Sequence, residues 1–479
     1  MHLMKQNDTG GKYIRLSELK VTDNKILYKF EVSENLKNYF LTNNFEVEYD
    51  VSIKNVEDSI LSIPALSFMI PIAWPTGADI YLEKIDKTYF ESIHKIGSIL
   101  KKWYPKFPFS TKIYSKKLIR NTFKNKEYAL LFSGGVDSLS SYIRHKERKP
   151  ILISVNGFRL PLPEYENYKK LEAWLGNFVK MENLDTHFIK TNYAENIKRQ
   201  LLTKEYRNWF MIIATYSPIL LGLCAPLTAI SKIGTIFIAS SHTSDFQYEG
   251  FHPLIDNQIR WGDIKVIHDG YELSRLEKIK CYLKNYPKYH RYLRACSNSR
   301  YLEYNCGNCE KCLRTITSLI LEDQDPKEYN FKIGNDVIEK IENILVHIST
   351  RMYFHNFFYW KDVKKHIPEH IDDDKLYNSK RLFESLRKID FPDPTRYEEE
   401  KKLDNFIVRI MKKYYYFISY FGIYHSFKLI LRHIFMSIKG LKQGHEQICN
   451  NCGSSNPTYR GYCTNCNTQF PVNDSRVKN

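Results

Sequence analysis

The residues most suited to chemistry lie in Leu130-Leu131-Phe132-Ser133-Gly134-Gly135-Val136-Asp137-Ser138. An apolar strand-like run delivers a loop with two glycines, and a helix is expected to start around Leu139–His145. Gly134 and Gly135 permit backbone angles closed to other residues and let N–H groups approach an anion closely. The N-terminus of the following helix adds the positive end of its dipole. Ser133 and Ser138 offer hydroxyl donors. Asp137 is a poor neighbour for an anion unless Mg2+ or a backbone N–H holds it. No Gly-Lys-Ser or Gly-Lys-Thr follows, so the loop is not of the Walker type and γ-phosphate transfer is disfavoured. A bare Gly-Gly pair would read as an ordinary turn. The full Ser-Gly-Gly-x-Asp-Ser string at a strand-to-helix junction favours a phosphate loop.

Eight of the ten cysteines fall into two groups, and Cys-x-x-Cys pairs in a chain without a secretion signal read as metal sites. The first group is Cys296, Cys306, Cys309 and Cys312. Four thiolates suit tetrahedral Zn2+. An iron–sulfur cluster is the rival, but Leu313-Arg314 stands where ferredoxin-type runs carry Pro. The second group, Cys449, Cys452, Cys463 and Cys466, has the two-knuckle spacing of a zinc ribbon. So small a unit has almost no core, and the metal would supply most of its folding energy.

Ser133–Ser138 resembles the PP-loop of the N-type ATP pyrophosphatases. With the Cys…Cys-Gly-x-Cys-x-x-Cys run after it and Arg314 two places beyond the last Cys, the chain is similar to the 7-cyano-7-deazaguanine synthase (QueC-like) family. The resemblance covers roughly residues 127 to 320. It implies ATP and Mg2+ as cofactors, an AMP-substrate intermediate on a small carboxylate, and release of pyrophosphate. On that resemblance Ser133, Gly134, Gly135, Val136, Asp137, Ser138 and Arg275 would bind the nucleotide. Asp137, Lys278, Asp245 and His242 would be the catalytic set, with Arg314 near the family's basic position. Solvated or strand-capping roles for Lys278 and His242 stay open. Ser240 or Ser241 stands where the family has glycine, which puts the match of Asp245 in doubt. The family enzyme is a compact single domain. Larger QueC-like proteins imply modification of a partner protein in antiphage defence, alongside biosynthesis of a queuosine precursor. A tRNA-modifying PP-loop enzyme and an inactive nucleotide-binding scaffold are the alternative readings.

The elements around these residues must place them at one edge of a sheet. Tyr128–Phe132, Ile151–Val155, Thr186–Ile189 and Thr235–Ala239 read as strands, with helical stretches around Tyr168–Val179 and Trp209–Ala225. That alternation predicts an α/β fold with a parallel sheet covered on both faces, whose ligands bind at the C-terminal strand ends. The expected organisation is an N-terminal α+β domain (1–120), a PP-loop domain with the embedded four-cysteine site (121–325), a helical region (326–445) and the ribbon with its tail (446–479). Within the first part, Ile26–Val32 and Phe45–Ile53 alternate like strands, and Tyr89–Trp103 has helical spacing. An aromatic content of 14% excludes a disordered chain. A net charge of +17 fits an anionic partner such as ATP, nucleic acid or an acidic protein, although Lys and Arg form no stripe in the sequence. The N-terminus has no apolar core of a signal peptide, so a cytoplasmic location is expected. The uncharged Met211–Ile230 has the length of a membrane span, but its place between two strands predicts a helix buried on the sheet.

Overall fold

The protein is described by a computed structural model over residues 11–105, 107–158, 165–198, 201–202, 215–244, 251–296, 305–350, 354–389, 391, 446–448 and 455–457. The chain divides into two compact units. The first is built from Met1–Ser133, Ser141–Glu272 and Gln447–Asn479; the second takes Gly134–Ser140 and Leu273–Glu446.

The first unit holds a ten-stranded, mostly parallel sheet. Its strands are β1 (Tyr13–Val21), β2 (Lys25–Val32), β3 (Asn44–Tyr49), β4 (Asp79–Asp86), β5 (Ile113–Ile119), β6 (Glu127–Leu131), β7 (Ile151–Asn156), β8 (Thr186–Thr191), β9 (Ile233–Ala239) and β10 (Lys265–Asp269). They lie in the order β10-β9-β6-β7-β8-β3-β2-β1-β4-β5. From β6 the chain moves outward through β7 and β8 on one side, then returns to lay β9 and β10 on the other. All four of these pairings are parallel. Parallel strands need crossovers, and helices Val136–His145, Tyr165–Glu182 and Tyr216–Ile230 stand between the strands in sequence. Ile151, Leu152 and Ile153 of β7 are all buried, as in a sheet covered on both faces. The strand order reverses between β6 and β9, which is where open α/β sheets bind ligands.

The strands of the first 120 residues do not stand apart from this sheet. β3 pairs antiparallel with β8, with Val47 opposite Thr191 and Tyr49 opposite Ile189, so one sheet crosses the boundary expected near residue 120. The apolar helices seal the join. Helix Ile63–Thr76 approaches Tyr216–Ile230 so closely that a Cβ on Gly222 would sit 2.0 Å from Ser67 Oγ. Tyr49 donates its hydroxyl to the Leu223 carbonyl at 3.0 Å. Asp58–Thr76 has the length and hydropathy to cross a bilayer, yet its most apolar window lies wholly inside the core. Tyr216–Ile230, from the stretch expected to pack on the sheet, is buried along most of its length. Residues 211–214 lie outside the described residues.

The second unit is helical. We label its helices α1 (Arg275–Cys281), α2 (Glu310–Leu321), α3 (Val337–Thr350), α4 (Phe354–Lys365) and α5 (Lys380–Lys388). The last three fall in the region expected to be helical, and Tyr414–Ile438 lies outside the described residues. Of the expected ribbon, Glu446–Ile448 and Ser455–Pro457 form a two-stranded sheet. Cys449, Cys452, Cys463 and Cys466 lie outside the described residues.

Candidate functional site

In the first unit, neighbouring strands β6 and β9 end at Leu131 and Ala239, so Ser133 and Ser240–Ser244 follow the C-terminal edge of the sheet at its switch point. His242 is buried there, and its backbone N–H and C=O both meet Ser240 Oγ, at 3.3 and 2.6 Å. Asp245 lies outside the described residues. The adjoining end of β10 carries Asp269, which accepts from Ser141 Oγ at 2.5 Å and meets His145 Nε2 at 3.0 Å. Burial alone would raise the Asp269 carboxyl; His145, Ser141 and Arg144 overcome that and lower it.

In the second unit the loop and the helix start form a charge cluster. Gly134 has φ +73°, a conformation open to glycine and strained for other residues. Its carbonyl accepts from the Arg294 N–H at 2.7 Å, and the Gly135 carbonyl accepts the first helical bond, from Leu139, at 2.9 Å. A helix leaves the N–H groups of its first turn without intrahelical acceptors, which is what lets a helix N-terminus receive an anion.

Asp137 sits in that first turn and is held by two cations. Arg275 reaches it with Nη2 at 2.8 Å and Nε at 3.1 Å, and Lys278 Nζ lies 3.4 Å away. Arg275 and Lys278 share a face of α1 because they are three residues apart. The helix starts cleanly because Ser274 and Glu277 form a reciprocal capping box. Burial would push the Asp137 carboxyl up; Arg275, Lys278 and Lys311 prevail and hold it well below the usual carboxylate range.

A carboxyl with a depressed folded-state pKa contributes its stability in full above the unfolded value, about 3.9, and loses it as pH falls through the folded value. The stability gap between wild type and Asp137→Asn should therefore stay constant from pH 7 to about 4 and close only below that. Thermal melts across pH 3–7 read this directly; a gap that closes near neutrality would remove the ion pair from the account.

Arg314 extends the cluster. Its guanidinium lies 3.8 Å from the Tyr359 ring centroid, and that of Arg275 lies 4.3 Å from the same ring. Arg314 is 6% exposed, and its Nη1 has no hydrogen-bond partner among the described residues. Burial lowers the pKa of this arginine, Glu310 opposes that, and Arg275 adds to the lowering. A buried donor left unpaired is rare and calls for an explanation.

Neither a family model, nor a curated protein, nor a solved structure matches this chain.

The first cysteine group assembles as its spacing predicts. The sulfurs of Cys296, Cys306, Cys309 and Cys312 all lie within 4.8 Å of one another. Cys296 and Cys309 are 3.9 Å apart and Cys306 and Cys312 3.8 Å. Tetrahedral Zn2+ with bonds of about 2.3 Å sets its sulfurs about 3.8 Å apart, so the four thiolates fit this ion. Backbone N–H groups of Asn308 and Cys309 point at Cys306 Sγ at 3.5 and 3.4 Å. Cys309 is the N-cap of α2 and Cys312 lies in its first turn, where the helix dipole favours thiolate.

Three residues here carry no signal in the sequence. Asn305 is 1% exposed and uses its whole amide: it donates to the Leu293 and Tyr329 carbonyls and accepts from the Ala295 and Cys296 N–H groups. It thus joins the lone upstream cysteine to the knuckle. Tyr359 collects the two guanidinium groups from a helix with no motif. Trp360 donates to Glu310 Oε1 at 3.1 Å, fixing the carboxylate beside Arg314.

The metal centre and the loop are mechanically linked. The segment that ends at Cys296 holds the Gly134 carbonyl through Arg294, and the helix that carries Cys312 also carries Arg314. Gly307 makes the knuckle possible: its φ is +66°, and a Cβ there would lie 2.2 Å from the Lys332 carbonyl oxygen. Gly307→Ala is expected to cost about 1–3 kcal/mol through backbone strain and that clash, and to weaken metal binding. Thermal denaturation with a zinc-to-protein ratio checks it; unchanged values in both would show that the knuckle tolerates a side chain.

Proposed function

We propose that this chain binds ATP at Gly134–Ser138 and adenylates a small carboxylate, with Zn2+ in the Cys296/Cys306/Cys309/Cys312 site as a structural ion. The observation that carries the reading is the cluster itself: Arg275, Lys278, Lys311 and Arg314 are set against two carboxylates, Asp137 and Glu310, and the buried Nη1 of Arg314 is unpaired among the described residues. Such a cluster beside a helix N-terminus suits a polyphosphate. The absence of a Walker lysine suits transfer of AMP in preference to the γ-phosphate.

In the proposed reaction a carboxylate oxygen attacks the α-phosphorus. The bond from that phosphorus to the bridging oxygen breaks, and pyrophosphate leaves with the electron pair. Negative charge grows on the departing diphosphate, and donors already in place stabilise it without reorganising. The loop amides and the cations gathered by Asp137 supply those donors. Asp137 positions Arg275 and Lys278 and needs no proton-transfer role. Mg2+ would enter with the nucleotide phosphates and share the neutralisation. The four-cysteine site would act at one remove, by fixing α2 and the Arg294–Gly134 bond.

The resemblance to the deazaguanine synthases makes 7-carboxy-7-deazaguanine the first carboxylate to try, and a partner protein bearing a deazapurine its extension. The decisive assay incubates the purified full chain with ATP and that acid and measures AMP and pyrophosphate. Formation of both in equal amounts supports the reading. ADP with phosphate, or no ATP binding by calorimetry, would overturn it.

A further inference from the structure

We infer that the outer face of the sheet at β1, β4 and β5 binds single-stranded nucleic acid, by stacking a base on Tyr114 and pairing phosphates with Lys112 and Arg120 of that edge. This inference is independent of the nucleotide loop.

In β1 and β4 the buried residues alternate with outward ones, so Arg15 and Tyr81 share a face of the sheet. The register places Arg15 beside Tyr81 and Tyr81 beside Tyr114. Their side chains form a ladder. The Arg15 guanidinium lies 5.3 Å from the Tyr81 ring centroid, and the Tyr81 and Tyr114 rings are stacked at 5.0 Å with planes 13° apart. Glu31 holds Arg15 from behind at 3.0 Å. The ladder ends at Tyr114, which is 41% exposed on β5, the last strand in the order among the described residues. Leu118, on the same strand, is 43% exposed. Large apolar side chains are rarely left this open on a sheet edge without a partner.

The charge around the ladder selects the partner. Lys112 and Arg120, at even spacing from Tyr114, are exposed, and neither has an ion-pair partner among the described residues. The nearby acids are committed: Glu83 pairs with Lys116 at 2.6 Å, and Asp79 accepts the Lys112 N–H at 2.9 Å. Unpaired cations beside an open aromatic face are the two components of single-strand binding surfaces. A duplex hides its base faces and would use only the cations. The net charge of +17 adds long-range attraction for such a polyanion.

The test uses the full chain and fluorescence anisotropy with labelled twelve-nucleotide oligo(U) and oligo(dT), and a duplex of equal length, over a salt series. Wild type should prefer the single strands. Tyr81→Ala/Tyr114→Ala should weaken single-strand binding about tenfold or more with an unchanged salt slope, while Tyr114→Phe should bind as wild type. Lys112→Glu/Arg120→Glu should weaken binding and flatten the salt slope. Circular dichroism melts establish that each variant is folded. Equal affinity for duplex, wild-type affinity in the tyrosine pair, or no binding at micromolar concentration would overturn the inference. So would a dimer in sedimentation that the tyrosine pair abolishes, which would assign the face to a second copy of the chain.

Discussion

Asp137→Asn is expected to lower ATP-dependent pyrophosphate release at least about 100-fold, the scale of losing a preorganised donor to developing charge. The substitution keeps the size of the side chain and removes its charge. Arg275 and Lys278 are then left 17% and 3% exposed without the carboxylate that now lies 2.8 and 3.4 Å away. Two cations so placed repel each other, and they relieve that strain by leaving the loop. Breaking one side of a buried pair costs about 3–5 kcal/mol, so the variant should also melt earlier. Turnover per folded molecule separates the two effects. Zinc content should be unchanged, because the cysteines are held by Asn305 and the knuckle backbone. A variant that melts earlier yet turns over at the wild-type rate per folded molecule would make the cluster a structural ion pair and leave the adenylation proposal without its chemistry.

Cys312→Ser should remove one equivalent of zinc and the folded state of the second unit together. A structural zinc site contributes about 10–16 kcal/mol of apparent folding free energy in small peptides, as much as the whole stability of a typical domain. Cys312 is fully buried in the first turn of α2, so no water-exposed substitute can complete the tetrahedron. Limited proteolysis should then cut first within 273–391, while the ten-stranded sheet stays protected. Loss of α2 would also displace Arg314, so ATP affinity should fall with the metal. Metal analysis, proteolysis and calorimetry on one preparation read all three. A variant that keeps its zinc and its resistance to cleavage would show that three thiolates suffice. A variant that loses zinc but keeps ATP affinity would break the proposed link between the two sites.

Local chemistry was readable wherever neighbours in the chain are neighbours in space. Gly134 and Gly135 belong to a loop whose positive φ needs glycine, and the strand before it and the helix after it came from short apolar periodicities. Arg275 and Lys278 were named from the family resemblance, and the capping box of Ser274 and Glu277 starts the short helix that sets them on one face. The knuckle Cys306-Gly307-Asn308-Cys309 closes on itself for the same reason.

Non-local pairing was not readable. β1, β4, β5 and β10 have too few consecutive residues of one period to stand out, and they form because partners from distant sequence complete their ladders. The boundary placed near residue 120 follows a change in pattern. The sheet ignores that change, because the edge of β3 finds β8. Helix Ile63–Thr76 contains Pro71 and Pro75, which break helix propensity, yet complete burial of its side chains outweighs the lost hydrogen bonds.

What the sequence determined by itself is the chemistry available: a glycine loop between a strand and a helix, a four-cysteine set able to hold a metal, and the α/β alternation. Each is written in contiguous residues, where spacing alone dictates geometry. What only the tertiary structure decided is how those groups are used. It set Asp137 against Arg275 and Lys278, left Arg314 buried with an Nη1 unpaired among the described residues, and enlisted Asn305 and Tyr359, which no motif announces. Those outcomes depend on which distant side chains share a low-dielectric interior, and that is a property of packing.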